Sequence, residues 1–329
     1  MHVTLDQIDP ELRLPGLAAR ALFRPSKGFF RLMRRVDRRM HGSDVPGLEC
    51  EQRWVDSVHE GVRVRVRTYR RPGSSGGAPL PGVLFLHGGG YVMGSPEQFA
   101  PAYRMLLKTR DCVIVAPDYR KSLDAPYPAA LDDGYGALLW LAENAAALGV
   151  RDDQLFVMGM SAGGGLTAAV SLRARDRGEV RIAHQLPLYP MIDHRMITDS
   201  ATDNDAPVWG SKHNRLAWDL YLGGLAGGDV PKYASPALET DFAGLPPTTT
   251  FVGELDPFLD ETVAWVEGLR AAGVAVELRR YPGCYHGFDM IRPGAKVSRA
   301  ANDFLCERFA HAVDHDFAKQ PADAATEER

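Results

Sequence analysis

Three stretches of the chain, 83–86, 113–116 and 155–158, are apolar without a break. Each is too short for a helix and is bounded by glycine, proline or polar residues. That pattern predicts strands buried on both faces of a parallel sheet. Residues 182–188, 248–252 and 275–281 read as further strands. Helical patterns lie between them. One opens at Pro101 after a short turn at 95–98, and one runs through Leu138, Leu139 and Leu141. Others run from the small residues after Ser161 to about Arg175, through Trp265 and Leu269, and over about 297–312. Strand and helix alternate, so the expected class is α/β, a mostly parallel central sheet with helices on both faces.

Some segments depart from this rhythm. Residues 51–69 alternate in period two, with Val62, Val64 and Val66 between Arg63, Arg65 and Arg67. This predicts a half-exposed strand at or near the sheet edge, whose arginines discourage edge pairing. Residues 19–41 mix apolar and basic side chains; Pro25 and Gly28 divide them, and the second piece reads as an amphipathic helix. Its apolar face is expected to pack on its own protein, although a basic amphipathic helix also suits an anionic membrane surface. Residues 191–228 interrupt the alternation and carry Trp209, Trp218 and Tyr221, which marks an insertion. Residues 314–329 are polar and poor in large apolar side chains, and are expected to be loose.

The chemistry collects where strands end. The strand at 155–158 runs into Gly159-Met160-Ser161-Ala162-Gly163 and then a helix. This is the strand–turn–helix setting of a nucleophile elbow, in which a sharp turn lifts the serine hydroxyl clear of the sheet. Glycines flank the serine because a Cβ there would strike the neighbouring strand or helix. The N–H of Ala162 is then aimed at an oxyanion near the helix N-terminus. The strand at 83–86 is followed at once by His87-Gly88-Gly89-Gly90. Three glycines in a row permit close approach, so the N–H groups of Gly88 and Gly89 are the other candidate oxyanion donors. Serine needs a base, and the base needs an anion to fix its tautomer. His286, in a tight turn, and Asp256, before Pro257, supply them in the order Ser, Asp, His. Glu254 is the alternative carboxylate, whereas Asp260 suits the start of the following helix. His87 is read as a brace for the glycine loop, and Cys284 as packed.

Charge and composition narrow the class. The net charge of −4 argues against a nucleic-acid partner. Four cysteines without CxxC spacing suggest neither disulfides nor a metal site. No signal-peptide core opens the chain, and no apolar stretch approaches the roughly 18 residues of a membrane span. The expectation is a cytoplasmic protein without stable membrane insertion. A homodimer is left open.

Five motifs in order resemble those of the hormone-sensitive-lipase-like bacterial esterases. They are His87-Gly88-Gly89-Gly90, Tyr127-Pro128-Ala129-Ala130-Leu131-Asp132-Asp133, Gly159-Met160-Ser161-Ala162-Gly163-Gly164, Asp256-Pro257 with Asp260-Glu261, and Tyr285-His286-Gly287-Phe288. The resemblance covers about residues 50–310. It implies the α/β-hydrolase fold, a Ser161–Asp256–His286 triad, and an oxyanion hole from Gly88, Gly89 and Ala162. It also implies use of no cofactor or metal. Its domain scheme is a cap from 1–45 and 191–230 over a core of 46–190 and 231–313, with a tail at 314–329. Two positions depart from the family: Met160 stands where Asp or Thr is usual, and Gly165 where Asn is frequent.

The expected reaction is hydrolysis of short- to medium-chain acyl esters through an acyl-enzyme, with a small-molecule acyl ester as substrate. Met160, Trp209 and Phe288 are the candidate substrate contacts. Phe29, Phe30, Met33, Trp209 and Trp218 are expected to make the pocket closed and greasy. An amidase, lactonase or acyltransferase would use the same triad, and a ligand-binding receptor would need one member missing.

Overall fold

The computed structural model describes residues 1–74 and 76–321. Eight strands form one sheet: β1 (Glu49–Asp56), β2 (Arg63–Arg70), β3 (Leu80–Leu86), β4 (Val113–Pro117), β5 (Val150–Met160), β6 (His184–Leu188), β7 (Thr248–Gly253) and β8 (Val276–Tyr281). Their order is β1-β2-β4-β3-β5-β6-β7-β8. β1 and β2 pair antiparallel, as do β2 and β4, and every later pairing is parallel.

The helices are α1 (Arg13–Leu22), α2 (Lys27–Arg38), α3 (Ala100–Thr109), α4 (Ala129–Glu143), α5 (Ala145–Leu148), α6 (Ala162–Arg177), α7 (Ser211–Leu222), α8 (Leu259–Ala271), α9 (Phe288–Ile291) and α10 (Lys296–His315). The apolar runs serve two faces at once. Leu84, Leu86, Val113, Val115, Leu155 and Val157 join one buried cluster. Their neighbours Val83, Phe85, Ile114, Ala116, Phe156 and Met158 join the other. Side chains alternate across a strand, so an unbroken apolar run is what a sheet covered on both faces requires. α10 presents Ala301, Phe304, Leu305, Phe309 and Ala312 as one buried stripe at helical spacing. α2 is started by Ser26, whose Oγ accepts the Phe29 N–H at 3.0 Å. Pro101 falls in the first turn of α3, after a 3₁₀ turn over Pro96–Phe99.

The arginine strand departs from expectation. β2 lies next to the edge strand β1, within the expected position, but Arg65 and Arg67 are buried rather than exposed. Each has an acidic partner remote in sequence. Arg65 donates to Glu97 Oε2 at 3.2 Å and Asp118 Oδ2 at 2.9 Å, and Arg67 to Asp44 Oδ1 at 2.6 Å. A buried charge stripped of its partner costs far more than an exposed one. Arg65→Met is therefore expected to cost about 3–5 kcal/mol of stability in urea unfolding. A cost under about 1 kcal/mol would mean the pair behaves as a surface one.

The tail differs too. Residues 314 and 315 continue α10, and the chain then lies back on the core. Ala318 N–H donates to Asp153 O at 2.8 Å, and Gln320 Nε2 donates to Asp152 O at 2.8 Å and Arg181 O at 3.0 Å. His184 Nδ1 meets Asp316 Oδ2 at 2.8 Å. Backbone groups caught this way fix residues 316–320. The rest of the expected loose tail, 322–329, lies outside the described residues. No described helix is long and apolar enough to cross a membrane.

Candidate active site

Register brings the loops together. Leu86 pairs with Gly159, and Met160 with Leu188. The glycine loop, the serine turn and Tyr189 thus leave adjacent strands at one edge, the edge where open α/β sheets bind ligands. On the far side, Gly253 pairs with Tyr281, so the loops carrying Asp256 and His286 also start level.

Ser161 sits between β5 and α6 with φ +60° and ψ −122°. Such a conformation is strained for a residue with a Cβ and persists only where the surroundings enforce it. Here they do. A Cβ on Gly159 would lie 2.2 Å from Gly163 O, and one on Gly163 would lie 2.0 Å from Leu86 O. Ser161 N–H donates to Leu188 O at 3.0 Å, and Met191 N–H to Ser161 O at 3.1 Å.

In the tautomer that satisfies both bonds, Ser161 Oγ–H donates to His286 Nε2 at 2.8 Å, and His286 Nδ1–H donates to Asp256 Oδ2 at 2.8 Å. Asp256 is only 1% exposed, and its other oxygen accepts the Phe258 N–H at 3.0 Å. The two supporting loops are laced together. Leu255 N–H donates to Cys284 O at 3.0 Å, and Glu254 N–H to Tyr281 O at 2.9 Å. The His286 ring is held edge-on by Tyr189 and Phe258, with centroids 5.1 and 5.0 Å away. Neither aromatic contact follows from the motifs; only the strand register could have pointed to Tyr189.

The alternatives separate cleanly. The Glu254 side chain is 38% exposed and lies 4.0 Å from Arg280, whereas the partner of His286 Nδ1 is Asp256. Asp260 stands in the first turn of α8, where its carboxylate accepts the Ser200 N–H at 2.8 Å. His87 is buried and stacks on Tyr119 at 4.1 Å, and its Nδ1–H donates to Gly88 O at 2.8 Å. Burial holds its ring well below the usual histidine range, so it stays neutral. Cys284 is buried, and burial pushes its thiol up.

Gly88 lies beside the serine: a Cβ on it would be 3.5 Å from Ser161 Cβ. Among the described residues, the Gly88 and Gly89 N–H groups have no hydrogen-bond acceptor in the protein. Ala162 is the first residue of α6, where an N–H lacks a partner one turn back.

Above these groups is a cavity of about 310 Å3, lined by Phe23, Met33, Phe99, Met160, Val208 and Trp209 among others. Of the candidate substrate contacts, Met160 and Trp209 line this cavity. Phe288 does not. It is fully buried between Phe251 and Tyr281, with centroids 6.1 and 5.5 Å away. The chain turns through the left-handed Gly287 into α9, which directs Phe288 into the core and gives Met290 and Ile291 to the cavity wall. Of the other aromatic candidates, Phe30 stacks behind Trp209 at 6.3 Å, and Phe29 packs against Phe30 at 6.1 Å. Trp218 packs on Tyr91 and Tyr221. Met33, from the same expected set, lines the cavity, as does Phe23. The departure at Gly165 also has a cause. A Cβ there would lie 2.1 Å from Met191 O and 2.2 Å from Tyr91 OH, so no side chain fits.

Comparison with known proteins agrees with this geometry. A family model described as the α/β-hydrolase fold matches residues 83–290. The chain is 34% identical over 278 residues to the carboxylesterase NlhH of Mycobacterium tuberculosis, covering 82% of this chain and 85% of that protein. It is 30% identical over 251 residues to an ethyl acetate hydrolase of Pseudomonas putida, covering 74% and 76%. A bacterial heroin esterase superposes with a TM-score of 0.86 at 29% identity, covering 94% of this chain and 99% of that one. With its sheet order, its serine turn and these relatives taken together, the chain belongs to the α/β-hydrolase-fold family, in the hormone-sensitive-lipase-like branch.

Proposed function

We infer that the chain is a carboxylic ester hydrolase that works through a serine-bound acyl intermediate. The observation that carries this is the unbroken line from Ser161 Oγ through the His286 ring to the buried Asp256 carboxylate. Ser161 Oγ attacks the ester carbonyl carbon while His286 takes its proton. The N–H groups of Gly88, Gly89 and Ala162 receive the oxyanion, and each such donor is worth about 2.7–4 kcal/mol. The carbon–oxygen bond to the alcohol breaks, and the alcohol leaves with the proton from His286. Water then attacks the acyl-serine, gives a proton to His286, and the acid departs as Ser161 recovers its hydrogen. Asp256 stays ionised and holds the imidazole in the working tautomer.

Stopped-flow turnover of p-nitrophenyl butyrate tests the intermediate. When deacylation is the slower step, a p-nitrophenol burst equal to the enzyme concentration is expected. Fluorophosphonate labelling should map to Ser161. Labelling at any other residue would remove the assignment.

Residues 1–45 and 191–230 act as the cap that selects the acyl chain. Support comes from Phe23 and Met33 of the first and Val208 and Trp209 of the second, which share the cavity wall. The two pieces also hold each other. His213 Nε2–H donates to Phe23 O at 3.2 Å, and Asp205 accepts the Val3 N–H at 2.7 Å. A cavity of about 310 Å3 is at the small end of the roughly 300–1,000 Å3 usual for small-molecule sites, which favours short to medium acyl chains. Trp209 closes it directly over the glycine loop, since a Cβ on Gly90 would meet the indole at 2.4 Å. Trp209→Ala is expected to raise kcat/KM for octanoate relative to butyrate by about 10-fold or more, each methylene in such a pocket being worth about 1–3 kcal/mol. An unchanged ratio would remove Trp209 from the acyl wall.

A further inference from the structure

A buried carboxylate outside the triad borders the cavity. Asp37 is in the last turn of α2, yet it is only 4% exposed. Its Oδ2 accepts the Gly94 N–H at 2.7 Å, and its Oδ1 accepts from Gln98 Nε2. Burial pushes this carboxyl up, and the bonds from Gly94 and Gln98 oppose that rise. An isolated buried charge is costly, so both oxygens need their donors.

What Asp37 grips is the far end of the glycine loop. Gly94 has φ +97°, and a Cβ on it would lie 2.4 Å from Gly88 O and 2.8 Å from His87 Nδ1. Its backbone therefore rests against the Gly88–Gly89 peptide and the His87 ring. Within the same loop, Gly89 O accepts the Val92 and Met93 N–H groups at 3.0 Å each. A Cβ on Gly89 would come 2.2 Å from Met93 O. Residues 88–94 thus close on themselves without slack. His87 braces the loop at one end, and the side chain that holds the other end comes from α2, outside the hydrolase core.

Resting on the ester-hydrolase reading above, we propose that Asp37 is a positioning residue: it holds Gly94, and through it the Gly88–Gly89 amides, where the ester's oxyanion forms. The chemistry supports a side chain of this kind. Amide donors stabilise an oxyanion only if they are already aimed, because reorienting them during the reaction forfeits the gain. An error of about 1 Å far from the reacting atoms is enough to cost on the order of 100-fold.

Asp37→Leu keeps the approximate shape and removes the acceptors, whereas Asp37→Asn keeps an acceptor for Gly94. For Asp37→Leu, kcat on p-nitrophenyl butyrate is expected to fall on the order of 10- to 100-fold, with KM within about threefold. A trifluoromethyl ketone, whose adduct oxygen occupies the same amides, should lose affinity by the same factor as kcat/KM. Asp37→Asn should return most of both. Should Asp37→Leu fail to fold, Asp37→Ala carries the same expectations. A folded acceptor-less variant with kcat within about twofold of wild type overturns the proposal. So does a kcat loss that leaves the ketone affinity untouched, because the amides would then still be aimed. Wild-type turnover and Ser161 labelling test the underlying reading separately, so a deficit confined to the Asp37 variants bears on Asp37 alone.

Discussion

Ser161→Ala is expected to lower kcat by about 10^4-fold or more while leaving the melting temperature unchanged. The substitution removes one oxygen atom that has one partner, His286 Nε2 at 2.8 Å. Everything that holds the turn stays. The Gly163 and Leu86 carbonyls still press on the flanking glycines, and the backbone bonds to Leu188 and Met191 remain. Alanine adopts the same backbone as serine with the same Cβ, so the fold gains no new strain. What disappears is the nucleophile of the proposed acyl-serine mechanism. The amide donors and the cavity can still bind the ester and polarise it, which accounts for a small residual rate. A fall of 10^4 corresponds to about 5 kcal/mol of lost transition-state stabilisation. Residual turnover above about a tenth of wild type would place the nucleophile elsewhere.

Asp256→Asn is expected to cost about 10^4-fold in kcat, and Glu254→Gln less than about twofold. The contrast is informative because the two side chains are nearly adjacent in sequence. Asp256 accepts from His286 Nδ1. An asparagine amide placed there would donate instead and move the ring proton to Nε2, where it blocks acceptance from Ser161. Its buried position leaves no water to repair the defect. The Glu254 carboxylate meets Arg280 at 4.0 Å, and an exposed pair at that distance carries little energy. Equal losses in the two variants, or the reverse order, would refute the carboxylate assignment.

The residues themselves show why some of this could be read from sequence and some not. Gly159, Ser161 and Gly163 announce their geometry because close approach to Leu86 O and between their own peptides forbids any larger residue. The unbroken apolar runs announce a doubly covered sheet because only two apolar faces explain them. Arg65 and Arg67 mislead, since an arginine every second residue ordinarily means solvent. Their carboxylates come from Glu97, Asp118 and Asp44, and no local pattern pairs positions so far apart. Phe288 misleads for a different reason. Its motif places it next to His286, but one left-handed glycine sets which way the following turn points. Asp37 is hidden among basic residues on an amphipathic helix, where a lone acid attracts no notice.

The crowding at Gly165 bears on how this chain could change over time. The family resemblance implies asparagine at that place, yet here Met191 O and Tyr91 OH already fill the volume its side chain would enter. Tyr91 OH is itself anchored, donating to Met191 O at 2.8 Å. A side chain at 165 needs position 91 and the backbone at 191 to be remodelled first. The order of mutations is therefore constrained, and a single transplanted asparagine should behave as a dead end.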